Sequence, residues 1–351
     1  VMGTLGFGHW DDLSETGMTT LPLERLHRSM AQMNNEFNAV AMEVSSHGLD
    51  QNRLAGVYFE GAIFSNLSRD HLDYHGSMEA YGDAKAKLFE RPNLNLAVIN
   101  IDDEFGKRLI HRAKADRVVS YGQNESADLQ FSIKKLHSEG MVVSITWSGK
   151  QRDIQLSLYG EFNAYNVAAV LAYCLASGYE LDDVISVVNC IKPVPGRMEL
   201  VKVKSKQPVV LVDYAHTPDA LNQVVEAVKA HNHGDVHLVV GCGGDRDQGK
   251  RPLMGKIAVQ SADKVIFTSD NPRSESPEEI CLQMTDGLTG GFEVEVDRKL
   301  AIEKAITLAT TEDLVLIAGK GHETYQESKG ERIYFSDVQC AKSALQMETL
   351  A

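Results

Sequence analysis

Val236-His237-Leu238-Val239-Val240 runs straight into Gly241-Cys242-Gly243-Gly244-Asp245-Arg246-Asp247-Gln248-Gly249-Lys250-Arg251. The apolar run reads as a strand buried on both faces, the kind found in a parallel sheet covered by helices. The glycine-rich stretch reads as a strand-to-helix turn, since Gly lets a backbone or ligand come close. Gly244 to Lys250 fits the opening of a Walker A loop, GxxxxGK. The next residue is Arg251, so the Ser or Thr hydroxyl for magnesium is missing, and no other GxxxxGK[ST] occurs. Arg246 offers a bidentate clamp for a carboxylate.

Working outward, the same alternation continues. Strands are expected at Pro208 to Val212, Lys264 to Thr268 and Leu314 to Ala318, with helices at Pro218 to Ala230 and Arg298 to Leu308. This is a doubly wound α/β domain of about 150 residues, a common domain size. The breaker cluster Ile191-Lys192-Pro193-Val194-Pro195-Gly196 marks its start, giving domains at 1–196 and 197–351. In the first domain, Asn38 to Val44, Gly61 to Ser65 and Leu96 to Ile101 read as buried strands. Met78 to Glu90, Phe162 to Ser177 and Leu181 to Asn189 read as helices. Asp128 to Leu158 alternates polar and apolar residues around Gly140 and Gly149, which predicts antiparallel strands.

The 351 residues carry a formal charge of −14, which argues against broad nucleic-acid or anionic-membrane binding. No run of 18 apolar residues predicts a membrane span. Cys174, Cys190, Cys242, Cys281 and Cys340 form no CxxC pair, and their odd number reads as reduced thiols of a cytoplasmic protein. The opening Val1-Met2-Gly3-Thr4-Leu5-Gly6-Phe7-Gly8 lies inside an apolar, Gly-spaced stretch, so an N-terminal truncation is expected.

Polar clusters follow the expected strands, where open α/β sheets bind ligands. They are Glu43 to Gly48, Asn66 to His71, Asp213 to His216, Gly241 to Arg251, Asp270 to Arg273 and Gly319 to Glu323. Six such coincidences point to a site shared by the two domains. Glu43, His47, Asp70, His71, Asp73 and His75 gather carboxylates and imidazoles, and a hard oxygen ligand such as Glu43 suits magnesium. No HExxH or zinc spacing is present. Lys85 and Lys87 on their helix read as a solvated face, Asn163 and Asn166 as one helix face near a cap, and Asp270-Asn271-Pro272-Arg273 as a turn.

Taken together, Glu43-Val44-Ser45-Ser46-His47-Gly48-Leu49, Asn66 to Gly76, Gly160-x-Phe162-Asn163-x-x-Asn166, Gly196-Arg197-Met198-Glu199, Asp213 to Asp219, Gly241 to Met254 and Asp270-Asn271-Pro272-Arg273 resemble the Mur ligases. Within that family they resemble the members that add meso-diaminopimelate. The resemblance runs in order over nearly the whole chain. It implies a P-loop-type central ATPase domain, mostly parallel sheet with a small antiparallel part, followed by a Rossmann-like domain. The family's UDP-binding first domain and its Gly-rich Lys-Thr-Thr phosphate loop are not in this sequence.

By matched position, the resemblance implies magnesium ligands at Glu43, His71 and a carbamylated Lys85. It implies ATP contacts at Asn163, Asn166, Arg197, Asp213 and His216, and counts Lys85, Arg197 and His216 as catalytic. Thr19, Thr20, Ser45, Gln51 and Arg53 would contact the UDP-N-acetylmuramoyl-dipeptide. Arg246, Asp270, Asn271, Pro272, Arg273, Gly319 and Glu323 would form the amino-acid pocket. Family members that add lysine lack Arg at position 273. A guanidinium binds the extra carboxylate of diaminopimelate through two parallel hydrogen bonds, and without that carboxylate its charge is unpaired. The implied reaction is phosphorylation of the D-glutamyl carboxylate, then attack by the amine, in a cytoplasmic monomer whose domains close on the substrates. Competing readings are a lysine-adding or folylpolyglutamate-synthase-like relative, a module that binds without turnover, and a nucleotide-dependent dehydrogenase. The last would want GxGxxG and a distant acidic residue, a pairing not found.

Overall fold

The computed structural model describes residues 1–34, 36–203, 207–232 and 234–347. The chain divides into two compact units. The first holds Val1–Ser132, Ile145–Arg152 and Tyr165–Val184. The second holds Ile133–Ser144, Asp153–Ala164 and Ile185–Ala351.

The chain opens with β1 (Met2–Gly3), β2 (Gly6–His9) and β3 (Asp12–Ser14), a small antiparallel sheet. Then come α1 (Leu23–Met33), α2 (Ser46–Asp50), β4 (Gly61–Phe64), α3 (Leu72–His75), α4 (Met78–Phe89), β5 (Leu96–Asn100), α5 (Glu104–Leu109) and β6 (Arg117–Gly122). β4, β5 and β6 pair in parallel, and every residue of β5 is buried. Their core gathers Phe64, Phe89, Ile99 and Phe105. β7 (Leu129–His137), β8 (Gly140–Trp147) and β9 (Lys150–Leu156) extend the same sheet in order. Two-residue turns join them, a connection open only to antiparallel neighbours.

The expected strand at Asn38 to Val44 does not form. This segment makes a single isolated bridge, Met2 to Met42. A ladder needs a neighbour about 4.8 Å away. Instead, Ala39 to Val44 and the free side of β4 line a cleft of about 680 Å³.

The helices α6 (Glu161–Ala176) and α7 (Leu181–Val188) follow, near their expected bounds. The second unit then runs β10 (Glu199–Val201), β11 (Val209–Asp213), α8 (Pro218–His231), β12 (Val236–Val240), α9 (Lys250–Ser261), β13 (Lys264–Phe267), α10 (Pro277–Met284), β14 (Phe292–Val294), α11 (Arg298–Leu308), β15 (Leu314–Ala318), β16 (Tyr325–Ser328), β17 (Glu331–Tyr334) and α12 (Asp337–Met347). The sheet order is β10-β11-β15-β12-β13-β14, parallel except for β10. Strand period 2 builds two cores. Leu238, Val240, Leu316 and Ala318 pack with α8, α9 and α10 residues such as Leu221, Met254 and Ile280. Val239, Val315 and Ile317 pack with Ile302 of α11 and Leu345 of α12. Helices on both faces are the doubly wound arrangement read from the sequence.

Among the described residues, no helix is long and apolar enough to cross a membrane.

Candidate active site

Thr19, Thr20, Ser45, Gln51 and Arg53 meet in one network of the first unit. Thr20 Oγ1 donates to Glu43 O at 3.1 Å and accepts from Ser45 N at 3.0 Å. Ser45 Oγ caps α2 by accepting from Gly48 N at 3.0 Å. Arg53 donates to Thr20 O at 2.8 Å and, through Nε, to Gln51 Oε1 at 2.8 Å. A Cβ on Gly48 would stand 2.6 Å from Thr20 Cγ2, so only Gly lets α2 sit this close. Thr4 was not singled out in the sequence. It joins this network to Glu43, donating from N (2.8 Å) and Oγ1 (2.6 Å) to Oε2, with Thr19 Oγ1 2.9 Å away. Nothing in its sequence context marks it, because the contact spans 39 residues.

Glu43 and Lys85 line the same cleft, together with Asn66. The Lys85 ammonium lies 5.1 Å from the centroid of the Tyr81 ring. Burial holds its amine below the ordinary lysine range, with Asp70 opposing. His71 caps α3 in the left-handed region at φ 53°. Its ring packs against Tyr81 (5.7 Å) and His47 (4.9 Å), and Nδ1 is 3.5 Å from Asp70 Oδ1. Burial first, then the charges of His71 and His75, hold His47 below the usual imidazole value. Among the described residues, no three His, Cys, Asp or Glu side chains are arranged to hold a metal ion. The Glu43 carboxylate, a hard oxygen donor of the kind that suits magnesium, lines the same cleft as Lys85.

On α6, Asn163 donates to Tyr159 O at 2.8 Å, and Asn166 lies one turn further along. In the second unit, the Gly160 turn is held by His231 Nε2, which accepts from Gly160 N at 2.9 Å. The Arg197 guanidinium lies 4.5 Å from the Tyr214 ring centroid, and the His216 ring meets the same Tyr edge-on. Asp213, expected at ATP, accepts hydrogen bonds from the backbone through both carboxylate oxygens. Oδ2 accepts from Met198 N and Oδ1 from Ala215 N, both at 2.8 Å. Burial pushes its carboxyl upward, and these hydrogen bonds oppose that. The strand end thereby fixes the turns bearing Arg197 and His216.

The residues expected at the amino acid come together from three strand ends of the second unit. Asn271 is buried, and its Nδ2 donates to Glu323 Oε2 at 2.8 Å. Asp270 Oδ1 accepts from Asn271 N at 2.6 Å, while a Cβ on Gly319 would stand 2.8 Å from Asp270 Oδ2. Gly244 N donates to Asn271 O, and a Cβ on Gly244 would collide with Pro272 O at 2.0 Å. Arg273 sits at φ 50°, tied by its N–H to Glu327 O at 2.9 Å. Its guanidinium donates to Gly244 O at 2.6 Å. Arg246 is exposed and donates to the neighbouring Asp245 carbonyl (3.2 Å).

Two supports escaped the sequence reading. Arg251 has no exposed surface and grips Glu275 through both terminal nitrogens, at 2.7 and 2.8 Å. It also donates to Gly243 O, so it clasps the glycine loop. Arg298 and Asp337 form a wholly buried pair. Each arginine sits among other charged residues in sequence, where the usual reading is a solvated side chain.

Comparison with known proteins agrees with this geometry. Residues 1–174 match the Mur ligase middle domain, and residues 196–321 match the Mur ligase glutamate ligase domain. The chain is 45% identical over 352 residues to the UDP-N-acetylmuramoyl-L-alanyl-D-glutamate–2,6-diaminopimelate ligase of Neisseria meningitidis serogroup B, covering 98% of this chain and 71% of that protein. The ligase of the same description from Xylella fastidiosa is also 45% identical, over 98% and 70%. A solved structure of such a ligase superposes with a TM-score of 0.75 at 38% identity, over 99% and 72% of the two chains. Seven sequence motifs, two matching domain families and these relatives agree: the chain belongs to the Mur ligase family.

Proposed function

We propose that this chain carries out the ligation for which its relatives are described, joining diaminopimelate to UDP-N-acetylmuramoyl-L-alanyl-D-glutamate with ATP, in the cytoplasm. The observation that carries the proposal is the Asp270-Asn271-Pro272-Arg273 turn. In that turn the Arg273 guanidinium is anchored on Gly244 O, and the neighbouring Asn271 is hydrogen-bonded to the carboxylates of Asp270, through its N–H, and Glu323, through Nδ2. Arg246 and Arg273 offer guanidinium groups to the two carboxylates of the ligand, and Asp270 and Glu323 offer carboxylates to its ammonium groups, the buried Lys320 being already paired to Glu323 Oε2. Lysine, with one carboxylate, would leave a guanidinium charge unpaired.

The D-glutamyl carboxylate attacks the γ-phosphorus of ATP, and ADP departs. The diaminopimelate amine then attacks the acyl carbon, loses a proton and expels phosphate. Thr19, Thr20, Ser45, Gln51 and Arg53 orient the dipeptide substrate, and Asn163, Asn166, Arg197 and His216 hold the nucleotide. Asp213 supports that set through the backbone. Glu43, His71 and carbamylated Lys85 would hold magnesium, which supplies charge neutralisation for phosphoryl transfer. The lowered Lys85 value supports the carbamate, because carbon dioxide adds to the neutral amine. Catalysis is then positioning and charge stabilisation, without a covalent enzyme nucleophile.

The test is phosphate release with ATP, magnesium, UDP-N-acetylmuramoyl-dipeptide and diaminopimelate, with lysine in parallel. Release with diaminopimelate and not with lysine is expected. Equal release with both overturns the specificity, and none with either overturns the activity.

A further inference from the structure

Lys320 has no exposed surface, yet none of the roles above uses it. Gly319 and Gly321, both at positive φ, place it between two turns. Its ammonium donates to Asn271 Oδ1 and to Glu323 Oε2, each at 3.0 Å. It lies 5.5 Å from the centroid of the Tyr325 ring. Asn271 Nδ2 closes the triangle on the same Glu323 oxygen. Asn271 Oδ1 also accepts from Glu327 N at 3.0 Å. Two donors converge on that one atom, so it must be the oxygen, and the amide has one orientation.

Burying an ammonium is unfavourable unless it is paired, and a well-packed apolar side chain would avoid the penalty. A cation here does something packing cannot. It holds Glu323 Oε2 against two donors. No donor among the described residues reaches Oε1, and the Glu323 side chain remains one-fifth exposed. Oε1 is therefore the oxygen presented to a ligand. We propose that Lys320 is a positioning residue of the amino-acid pocket, acting through Glu323 and Asn271 to aim one carboxylate oxygen at the ammonium of the incoming amino acid. The inference rests on the reading of Glu323 as the ammonium partner.

The test is steady-state kinetics of the Lys320→Met, Glu323→Gln and doubly substituted chains. Calorimetric titration with meso-diaminopimelate and thermal melting accompany it. Lys320→Met should raise KM for diaminopimelate at least tenfold, leaving KM for ATP and for the UDP-linked substrate within about twofold, because the lost contacts belong to the amino-acid pocket alone. If Lys320 acts through Glu323, the double variant is no worse than Glu323→Gln. An unchanged KM in Lys320→Met, or a further rise in the double variant, overturns the inference. Should Lys320→Met fail to fold, the double variant leaves no lone charge, and its comparison with Glu323→Gln decides by the same rule. A wild-type chain that neither binds nor turns over diaminopimelate refutes the pocket itself and Lys320's role with it. A responsive wild type matched by Lys320→Met refutes Lys320's role alone.

Discussion

Asp337→Asn is nearly isosteric, and it strikes the ion pair beneath the proposed amino-acid pocket. Neither Arg298 nor Asp337 has exposed side-chain surface. Their two hydrogen bonds measure 2.7 and 2.8 Å. Arg298 also donates to Ala318 O at 2.9 Å and to Ser269 O at 3.4 Å. It thus ties the last residue of β15 to the segment leaving β13, the two places from which Gly319 to Glu323 and Asp270 to Arg273 emerge. Asparagine offers one acceptor and turns an N–H₂ group toward the guanidinium, leaving a buried charge without its counter-ion. Breaking such a pair costs roughly 3–5 kcal/mol. At about 2–4 °C per kcal/mol for a unit of this size, the melting temperature of the second unit should fall by roughly 6–20 °C. Tryptophan fluorescence is the wrong probe, since Trp10 and Trp147 both belong to the first unit. Hydrogen exchange of peptides spanning β13 and β15 across a urea series reads the right place. Replacing both partners, Arg298→Met with Asp337→Leu, should recover most of the loss. If Asp337→Asn costs under about 1 kcal/mol, the pair is not what holds these strand ends.

Other outcomes follow from the same geometry. Arg273→Lys should raise KM for diaminopimelate roughly 10–100-fold with little change for ATP, because an ammonium lacks the planar fork; equal KM values would remove Arg273 from the pocket. Gly321→Ala puts a Cβ 2.7 Å from Gly196 O at φ +53°, against backbone that cannot yield; melting should fall by an amount on the order of 1–3 kcal/mol, and an unchanged melting temperature would contradict it. The hydrogen bonds from Arg251 and from Asp245 N–H hold the Glu275 carboxyl at about 2, below its ordinary 4.5. That contribution is complete above about pH 4.5 and is lost as pH falls toward 2, so Glu275→Gln should flatten the stability slope in that window during acid unfolding. Burial keeps His231 below its ordinary 6.5, despite the carbonyls of His137 and Gly140. Neutral His231 stabilises fully above pH 6.5 and less below it. Exchange at Gly160, corrected for intrinsic rate, should accelerate as pH drops from 6.5, and His231→Phe should abolish that dependence.

The legible parts of this protein are those written in short-range pattern. Val236–Val240, apolar but for His237, and the wholly apolar Leu314–Ala318 fall on strands with the expected bounds. Thr217 followed by Pro218 starts α8 with its hydroxyl on Ala220 N, as a cap before proline should. Asn38 to Val44 looked equally strand-like, but strand formation depends on a neighbour, and sequence does not say who the neighbour is. Asp213 shows the same limit within the site. Its position at a strand end was readable, while its hydrogen bonds to Met198 and Ala215 depend on how distant turns fold back.

By itself, the sequence determined the α/β class, four central strands and two helices of the second unit and the family, because periodicity, breakers and ordered motifs are local properties of the chain. Tertiary structure alone decided which charges are buried. Arg251, Arg298 and Lys320 look like any surface cation in sequence; long-range packing brings Glu275 to Arg251 and Asp337 to Arg298, and Glu323, three residues from Lys320, meets it in a local turn, which makes their burial tolerable.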